Sequence, residues 1–171
     1  MKKKIIISLT VFVIVLVSLY FLFDFPIILN GNQKERLIES DTADNIFNPI
    51  KSIDFNTGNN RVYLYFGNAD IAELPKKMIK SKLFECSNNE ILQDLKRDFI
   101  FKKSGGDMST CESKLLVYKN DKLVFCSSFV LTDNVIGLQN SLAGWADALN
   151  QENLKNNFLK FKPTRKIFIK L

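Results

Sequence analysis

Polar and apolar positions divide the start of the chain into a short charged segment and a long apolar run. Three lysines at positions 2–4 are followed by an uncharged run that begins at Ile5 and ends at Phe23. A helix of about 20 apolar residues spans the roughly 30 Å hydrocarbon core of a bilayer, so the run predicts a transmembrane anchor within residues 1–29. Because positive charge is retained on the cytoplasmic side, the lysines predict an extracytoplasmic body.

A cleaved signal peptide and a buried core helix are the alternatives to this anchor. A signal peptide favours a shorter apolar core, of about 7–15 residues, with small residues at its cleavage site. Here residues 20–23 are all large, and Gly31 is the first small residue beyond the run. The pattern favours an uncleaved, single-pass anchor in the inner (cytoplasmic) membrane.

Residues 30–60 are polar and rich in asparagine, and they predict a tether with one short helix near residues 33–40. A folded domain is then expected over residues 61–171. It begins with a strand at residues 61–67, where apolar and aromatic positions alternate with a period of two.

Two helices are predicted next. Pro75 suits the first turn of a helix that runs to about residue 82. Ser87 and Glu90 have the spacing of a capping box, and the apolar positions that follow, up to Phe99, keep helical spacing. A strand is expected from Phe99 to about residue 102.

A third helix is predicted after Asp133 from an apolar stripe at steps of four, three and four residues. Its members are Leu138, Leu142, Trp145 and Leu149. The middle position of Trp145 in this stripe predicts a core residue. The alternative is an exposed binding hot spot, where tryptophan is enriched.

The clearest hairpin joins residues 114–119 to residues 122–131 around a two-residue turn, Asn120-Asp121. Its strands are apolar on both faces, which predicts either a central hairpin packed between helices or a face that docks a partner. With a short helix at residues 151–159 and a closing strand at 166–171, the pattern predicts an α+β fold. We expect a mostly antiparallel sheet around this two-sided hairpin, preceded by the transmembrane helix.

The three cysteines predict one disulfide. Strand pairing around the turn places Cys126 opposite Leu115, four residues and about 13 Å from Cys111, which is too far for a bridge. An oxidising compartment would favour a bridge between Cys86 and Cys111. Three free thiols are the alternative.

Charge is unevenly distributed along the chain. The net charge is +6, and the C-terminal segment contributes five basic residues and no acid: Lys160, Lys162, Arg165, Lys166 and Lys170. The remaining body has mixed charges, which argues against a nucleic-acid surface. Lys160, Lys162, Arg165 and Lys166 are candidate contacts for a partner or lipid; a lysine-protected edge strand is the alternative.

The composition excludes several kinds of catalysis. The chain has no histidine, so it cannot form a Ser-His-Asp triad, a Cys-His dyad or a histidine-containing zinc site. Gly105-Gly106-Asp107 lacks the spacing of a phosphate-binding loop. Asp94 with Asp98 as a metal pair, and Ser127 or Ser128 with a lysine as a dyad, are weak patterns. We therefore expect no catalytic residue, cofactor or metal.

These features predict a non-enzymatic protein of the bacterial envelope whose domain binds another protein outside the cytoplasm. An immunity-type protein against a toxin that acts in the periplasm needs an anchor, a tether and a recognition surface. An accessory subunit of an envelope complex and a histidine-free hydrolase are the alternatives.

Overall fold

The computed structural model describes residues 2–23, 27–29, 45–105, 111–140, 144–165 and 168–170. The elements follow in chain order: α1 (Lys2–Phe23), β1 (Ile27–Leu29), β2 (Ile46–Phe47), β3 (Asn60–Tyr65), α2 (Asn68–Glu73), β4 (Leu83–Cys86), α3 (Asn89–Asp98), β5 (Phe101–Lys103), β6 (Lys114–Lys119), β7 (Lys122–Leu131), β8 (Ile136–Asn140), β9 (Gly144–Ala148), α4 (Gln151–Phe158), β10 (Lys162–Pro163) and β11 (Phe168–Lys170). The predicted α+β class is confirmed.

Nine strands form one antiparallel sheet in the order β10-β4-β3-β6-β7-β8-β9-β5-β2. The hairpin β6–β7 lies near its centre, as predicted. Strands β1 and β11 form a separate parallel pair. The prediction of a mostly antiparallel sheet around a central hairpin is thus confirmed.

The hairpin turn has the backbone geometry that a tight two-residue connection needs. Asn120 and Asp121 have φ angles of 50° and 60°, which match the right-handed twist of the two strands and are tolerated best by Gly, Asn and Asp. The Asn120 Oδ1 atom also accepts a hydrogen bond from the backbone N–H of Asn59 (2.9 Å). The turn is therefore tied to the start of β3.

A bulge changes which side chains share a face of the hairpin. Tyr118 pairs with Leu123, but Val117 pairs with Phe125, so the register shifts by one residue between them. A shift of one residue moves every later side chain to the opposite face. Cys126 therefore lies opposite Leu116 and not, as predicted, opposite Leu115.

The inner face of the sheet carries the main core. It is dominated by phenylalanine rings that pack edge to face; the shortest centroid distances are 4.7 Å for Phe99 and Phe101 and 5.1 Å for Phe129 and Phe158. Helices α3 and α4 cover this face with buried leucines and Phe158. Edge-to-face rings stabilise a core beyond the area they bury.

The described helices of the domain pack on one face only. Residues of α2, α3 and α4 contribute to the inner cluster, whereas a separate cluster of strand residues lies on the outer face. The expectation of a hairpin packed between helices on both sides is wrong for the part of the chain that the structure describes.

Helix α3 begins one residue later than the capping-box pattern predicts. Asn88, not Ser87, is the N-cap, and its Oδ1 accepts hydrogen bonds from the N–H groups of Glu90 (2.9 Å) and Ile91 (3.2 Å). Asparagine is among the strongest N-cap residues because its short side chain reaches these unsatisfied donors.

Two predicted helices are wrong. Residues 75–82 form a loop, in which Met78 is buried and Ile79 is exposed; the helix nearby is α2, which ends at Glu73. Ile136–Asn140 and Gly144–Ala148 form the strands β8 and β9 instead of a helix, and Leu142 of the predicted stripe lies outside the described residues. In β8, the buried side chains of Ile136 and Leu138 lie two residues apart, with Gly137 between them. This period of two is typical of a strand, whereas the apolar stripe at steps of three and four residues favours a helix.

The segment from residue 45 to residue 59 belongs to the domain, although it was predicted as tether. Ile50 and Phe55 are fully buried in the inner core. Two hydrogen bonds fix the segment to α3: Asn48 Nδ2 donates to the Lys96 carbonyl, and Lys96 Nζ donates to the Ile53 carbonyl, both at 2.7 Å. The tether before residue 45 and its predicted helix lie outside the described residues.

The helix α1 coincides with the predicted anchor and contains Ile5 and Phe23. Its apolar side chains at positions 6, 9 and 11–17 are 47–64% exposed. Judged on the residues that the structure describes, no helix is long and apolar enough to cross a membrane. The anchor stays a prediction.

Candidate functional site

The outer face of the sheet carries a compact group of aromatic and apolar side chains from β3, β4, β6 and β7. We call this group the tyrosine patch: Tyr63, Tyr65, Leu83, Leu116, Tyr118, Leu123 and Cys126. Leu116 at its centre is fully buried, while Tyr65, Tyr118 and Cys126 are partly exposed around it. Partly exposed tyrosines around a buried leucine resemble the anchors found at protein interfaces.

Two tyrosines of the patch hold each other in place. Their rings, Tyr63 and Tyr118, pack edge to face at 5.6 Å. The Tyr63 hydroxyl donates to Glu85 Oε1 (2.9 Å). Burial, together with this hydrogen bond to a carboxylate, raises the pKa of Tyr63 above its usual range. The Tyr63 hydroxyl therefore remains protonated at neutral pH.

Charged side chains border the tyrosine patch. Arg61 lies 3.9 Å from Glu85 and 3.4 Å from Asp121 on the hairpin turn. These ion pairs are partly exposed, so they contribute little to stability. They give the border of the patch both signs of charge.

Trp145 lies on the outer face and not in the core. It stands opposite Gln139 in the pairing of β8 with β9 and is partly exposed. Its ring occupies the space above Gly137, where a Cβ would come within 2.4 Å of it. The indole Nε1 donates to Asp147 Oδ1 (2.9 Å). The core prediction for Trp145 is therefore wrong; its ring is fixed on the sheet surface.

A lysine and a serine meet on the same face. Lys114 and Ser128 are direct cross-strand partners, and Lys114 Nζ donates to Ser128 Oγ at 2.7 Å. Ser127 points to the inner side of the sheet and donates to the Gln139 carbonyl (3.1 Å). Of the two serines considered as members of a dyad, only Ser128 contacts a lysine in the described structure.

A second polar cluster joins α2 to the start of β6. The buried Ser113 hydroxyl donates to Asp70 Oδ2 and accepts from the Gly67 N–H (3.1 Å). Cys111 Sγ donates to the carbonyl of Phe129 (2.9 Å). The Ser113 hydroxyl thus acts as donor and as acceptor within the fold. We therefore interpret this cluster as structural: it holds α2 against the start of β6.

The predicted disulfide between Cys86 and Cys111 is absent; all three cysteines are thiols. Cys86 is in register with Val117, two strands away, while Cys111 contacts Ser113, four residues further along. The two cysteines are thus separated by about 10 Å across the sheet and about 13 Å along it, against a Cα limit of about 7 Å for a bridge. Burial raises the pKa of the thiols of Cys86 and Cys111.

The described candidate basic contacts at the C-terminal end have different surroundings. Lys160 Nζ binds Asn157 Oδ1 (3.2 Å) and lies 3.7 Å from Asp94, so it links α4 to α3. Lys162 is exposed on the edge strand β10, opposite Glu85. Arg165 is exposed, and Lys166 lies outside the described residues. The position of Lys162 fits a protected edge strand.

Asp94 and Asp98 are neutralised by Arg97, which lies 2.9 Å and 3.2 Å from them. The nearly buried Asp98 also accepts a hydrogen bond from Asn157 Nδ2 (3.0 Å). Within the described residues, no group of three acidic or cysteine side chains is placed to hold a metal ion. The two carboxylates therefore serve helix packing.

Sequence reasoning missed the outer face as a unit, because its members come from strands that are distant in the chain. The available signal was the alternation of Tyr63 and Tyr65 with Val62 and Leu64 in β3, where tyrosine and aliphatic residues take opposite faces.

The chain was compared with protein-family models, curated proteins and solved structures, and none matches.

Proposed function

We propose that this protein is a non-enzymatic, single-pass protein of the bacterial envelope whose extracytoplasmic domain binds another protein. The observation that carries the membrane part is the surface of α1: the apolar side chains at 6, 9 and 11–17 are about half exposed or more. An apolar surface on all sides of a helix is stable where lipid covers it. The lysines at positions 2–4, at the start of the helix, favour a cytoplasmic N-terminus.

The helix also satisfies the hydroxyl group of Thr10. Thr10 Oγ1 donates to the Ile6 carbonyl one turn earlier (2.9 Å). Such a bond removes the cost of placing a hydroxyl in lipid, where water offers no partner. This contact supports the proposed anchor.

The tyrosine patch supports the binding part of the proposal. Tyr65 and Tyr118 present rings that are partly exposed, and charges of both signs lie at the border of the patch. Tyrosine and arginine are enriched among the residues that contribute most to protein–protein binding. A partner would cover the tyrosine rings and meet Arg61 and Glu85 at the border.

The role that fits these parts is an immunity-type protein against a toxin that acts in the periplasm. A host lacking this protein should become sensitive to such a toxin, and the full chain should restore resistance. Tyr118→Ala should weaken protection, while Leu149→Ala, on a different part of the surface, should not. Full protection by Tyr118→Ala would exclude the tyrosine patch as the binding site.

Topology is tested separately from binding. A reporter enzyme that works only outside the cytoplasm, fused after Leu171, should be active, and the mature protein should retain its N-terminus. A reporter active only in the cytoplasm would contradict the proposed location. An accessory subunit would instead keep its partners after changes to the domain, through contacts of α1.

The Lys114–Ser128 hydrogen bond is the observation that favours a histidine-free hydrolase as the alternative. A lysine can activate a serine only as the neutral amine. Ser128→Ala should abolish function in a folded protein if the alternative holds. Under our proposal the same variant protects the host as well as the unmodified chain does.

A further inference from the structure

The exposed apolar side chains of the described domain concentrate at one end of the nine-stranded sheet. Every second strand of an antiparallel sheet runs in the same direction, so β10, β3, β7 and β9 all end on the same side. We call this side the exit end, because β10 is the last strand of this sheet along the chain. Ile79 follows β3, Val135 follows β7 and Leu149 follows β9. They are three of the four large apolar side chains that are exposed in the described domain; the fourth, Ile46, begins β2 at the opposite end.

The most exposed of these side chains, Ile79, lies on a loop that the fold holds in place. Its exposed fraction is 66%. The loop comprises residues 75–82, and the N–H of its buried Met78 closes a tight turn (2.8 Å). On the other side of Ile79, Lys80 Nζ donates to the Leu74 carbonyl (2.8 Å). The exposure of Ile79 is therefore a feature of a packed and hydrogen-bonded loop.

Lysines surround Ile79 in this loop. Residues 75–82 contain four lysines and no acid, and Lys76, Lys77 and Lys80 are exposed. An apolar side chain among exposed lysines is typical of a segment that contacts an anionic membrane surface. The apolar group enters the headgroup region, and the ammonium groups bind lipid phosphates.

The neighbours of the loop leave its charge positive. Glu73 precedes the loop at the end of α2. Asp133 Oδ2 accepts a hydrogen bond from the N–H of Lys76 (3.3 Å). Lys155 Nζ donates to the Asp133 carbonyl (3.0 Å) and adds a cation beside this acid. The lysines of the loop together with Lys155 therefore outnumber these two carboxylates, which favours an anionic partner.

The path of the chain favours a membrane as this partner, because it links the exit end to α1 by a short route. Directly after the loop, the Leu83 carbonyl accepts a hydrogen bond from the Thr164 N–H (3.0 Å). Four residues after Thr164, β11 begins and pairs with β1, which itself begins four residues after α1 ends. Four residues span at most about 14 Å. The route from β1 to β2, at the opposite end of the sheet, allows more than about 50 Å.

We propose that the loop at residues 75–82 is a membrane-contact site for anionic lipids. Ile79 enters the headgroup region of the extracytoplasmic leaflet, and Lys76 and Lys77 bind lipid phosphates. This inference rests on the proposed anchor, which brings the domain to the bilayer. The contact holds the exit end of the sheet against the membrane and so fixes the orientation of the domain.

A tryptophan placed in the loop of the full chain tests the contact. Trp145 is the only tryptophan, so Ile79→Trp in a Trp145→Phe background reports on position 79 alone. The chain is reconstituted into vesicles of phosphatidylglycerol and acyl-brominated phosphatidylcholine, whose bromine atoms quench a tryptophan that touches them. Fluorescence of Ile79→Trp should be strongly quenched. The matched control is Ile46→Trp in the same background; Ile46 is 51% exposed at the opposite end, and its variant should not be quenched.

The role of charge is tested at a constant bromine content. When unbrominated phosphatidylcholine replaces phosphatidylglycerol, quenching of Ile79→Trp should fall at least about twofold, because the lysines lose their anionic partners. Adding Lys76→Gln and Lys77→Gln should cause a similar fall in vesicles that keep phosphatidylglycerol. Both lysines are exposed, so the circular dichroism spectrum should not change.

Flotation of the chain with the vesicles separates failure of the anchor from failure of the contact. A chain that does not float with the vesicles contradicts the anchor and overturns the contact with it. If the chain floats but Ile79→Trp is quenched no more than Ile46→Trp, the anchor stands and the contact is wrong; the loop is then open to a protein partner. Equal quenching with and without phosphatidylglycerol would contradict the binding of anionic lipids.

Discussion

The two faces of the nine-stranded sheet are closed by different chemistry. The inner face is packed with phenylalanine under α3 and α4, whereas the three tyrosines of the sheet, Tyr63, Tyr65 and Tyr118, lie on the outer face with Trp145. Phenylalanine can lose all contact with water at no polar cost, but a tyrosine hydroxyl needs a partner. The comparison indicates that the inner face closes without polar partners, whereas the outer face keeps hydroxyl groups that need them.

The largest expected change in stability distinguishes two leucines, Leu138 and Leu149, which the predicted helical stripe places on the same apolar face. Leu138 is buried on the inner face, and Leu149 is 47% exposed. Leu138→Ala should cost about 2–5 kcal/mol, because it leaves a cavity in the core. The control, Leu149→Ala, should stay within about 0.5 kcal/mol. Urea unfolding of the full chain in micelles measures both; equal losses would contradict the assignment of β8 and β9.

The contact between Trp145 and Gly137 predicts the next effect. A methyl group at position 137 would meet the indole ring at 2.4 Å, so Gly137→Ala should cost about 1–3 kcal/mol through overpacking. In a Trp145→Ala background the same change should cost clearly less, because the ring is gone. If the two changes in the free energy of unfolding were additive in this double-mutant cycle, the indole ring of Trp145 would not contact Gly137.

Loss of the N-cap of α3 should have a smaller effect on stability, and it distinguishes two neighbouring residues. Asn88→Ala should lower stability by about 1 kcal/mol, since two backbone N–H groups lose their acceptor. Ser87→Ala, one residue earlier, should be close to neutral. Chemical denaturation of the two variants decides between the structure and the capping box suggested by the sequence; a larger loss for Ser87→Ala would favour the sequence pattern.

The smallest effect concerns alkaline pH and the outer face. Burial, with the Cys126 thiol nearby, raises the pKa of Tyr118 to about 12. A raised pKa in the folded state means that folding favours the protonated ring, so its contribution is complete below about pH 10 and is lost as the pH rises towards 12. Tyr118→Phe should flatten this loss in unfolding measurements. An unchanged pH profile would indicate that Tyr118 is solvated.

The sequence predicted the elements whose signals are local. The hairpin follows from Asn120-Asp121 between two apolar runs, and α3 from polar capping residues before an apolar stripe. Sequence reasoning failed where the outcome depends on contacts between distant residues. The segment that forms β8 and β9 is predicted as a helix, because the steps of four, three and four residues from Leu138 to Leu149 fit the helical period. The period of two that a strand requires is visible only over a few of these positions.

The candidate site was harder to predict than the fold. The bulge after Val117 exchanges the faces of β7 and so determines that Cys126 joins the tyrosine patch. No local sequence pattern predicts this register shift, because both faces of the hairpin are apolar and a shift of one residue leaves the pattern of apolar positions unchanged. The neighbours of Ser128, which are Lys114 and Gln139, depend on the same register.

Chemical labelling of the native cysteines in intact cells tests the central claim most directly. Cys126 lies partly exposed on the outer face, and Cys86 is buried on the inner face. In single-cysteine variants of the full chain, a maleimide that cannot cross the cytoplasmic membrane should label Cys126 well before Cys86. Labelling of Cys126 only after lysis would contradict the extracytoplasmic location, and faster labelling of Cys86 would contradict the assignment of the two faces.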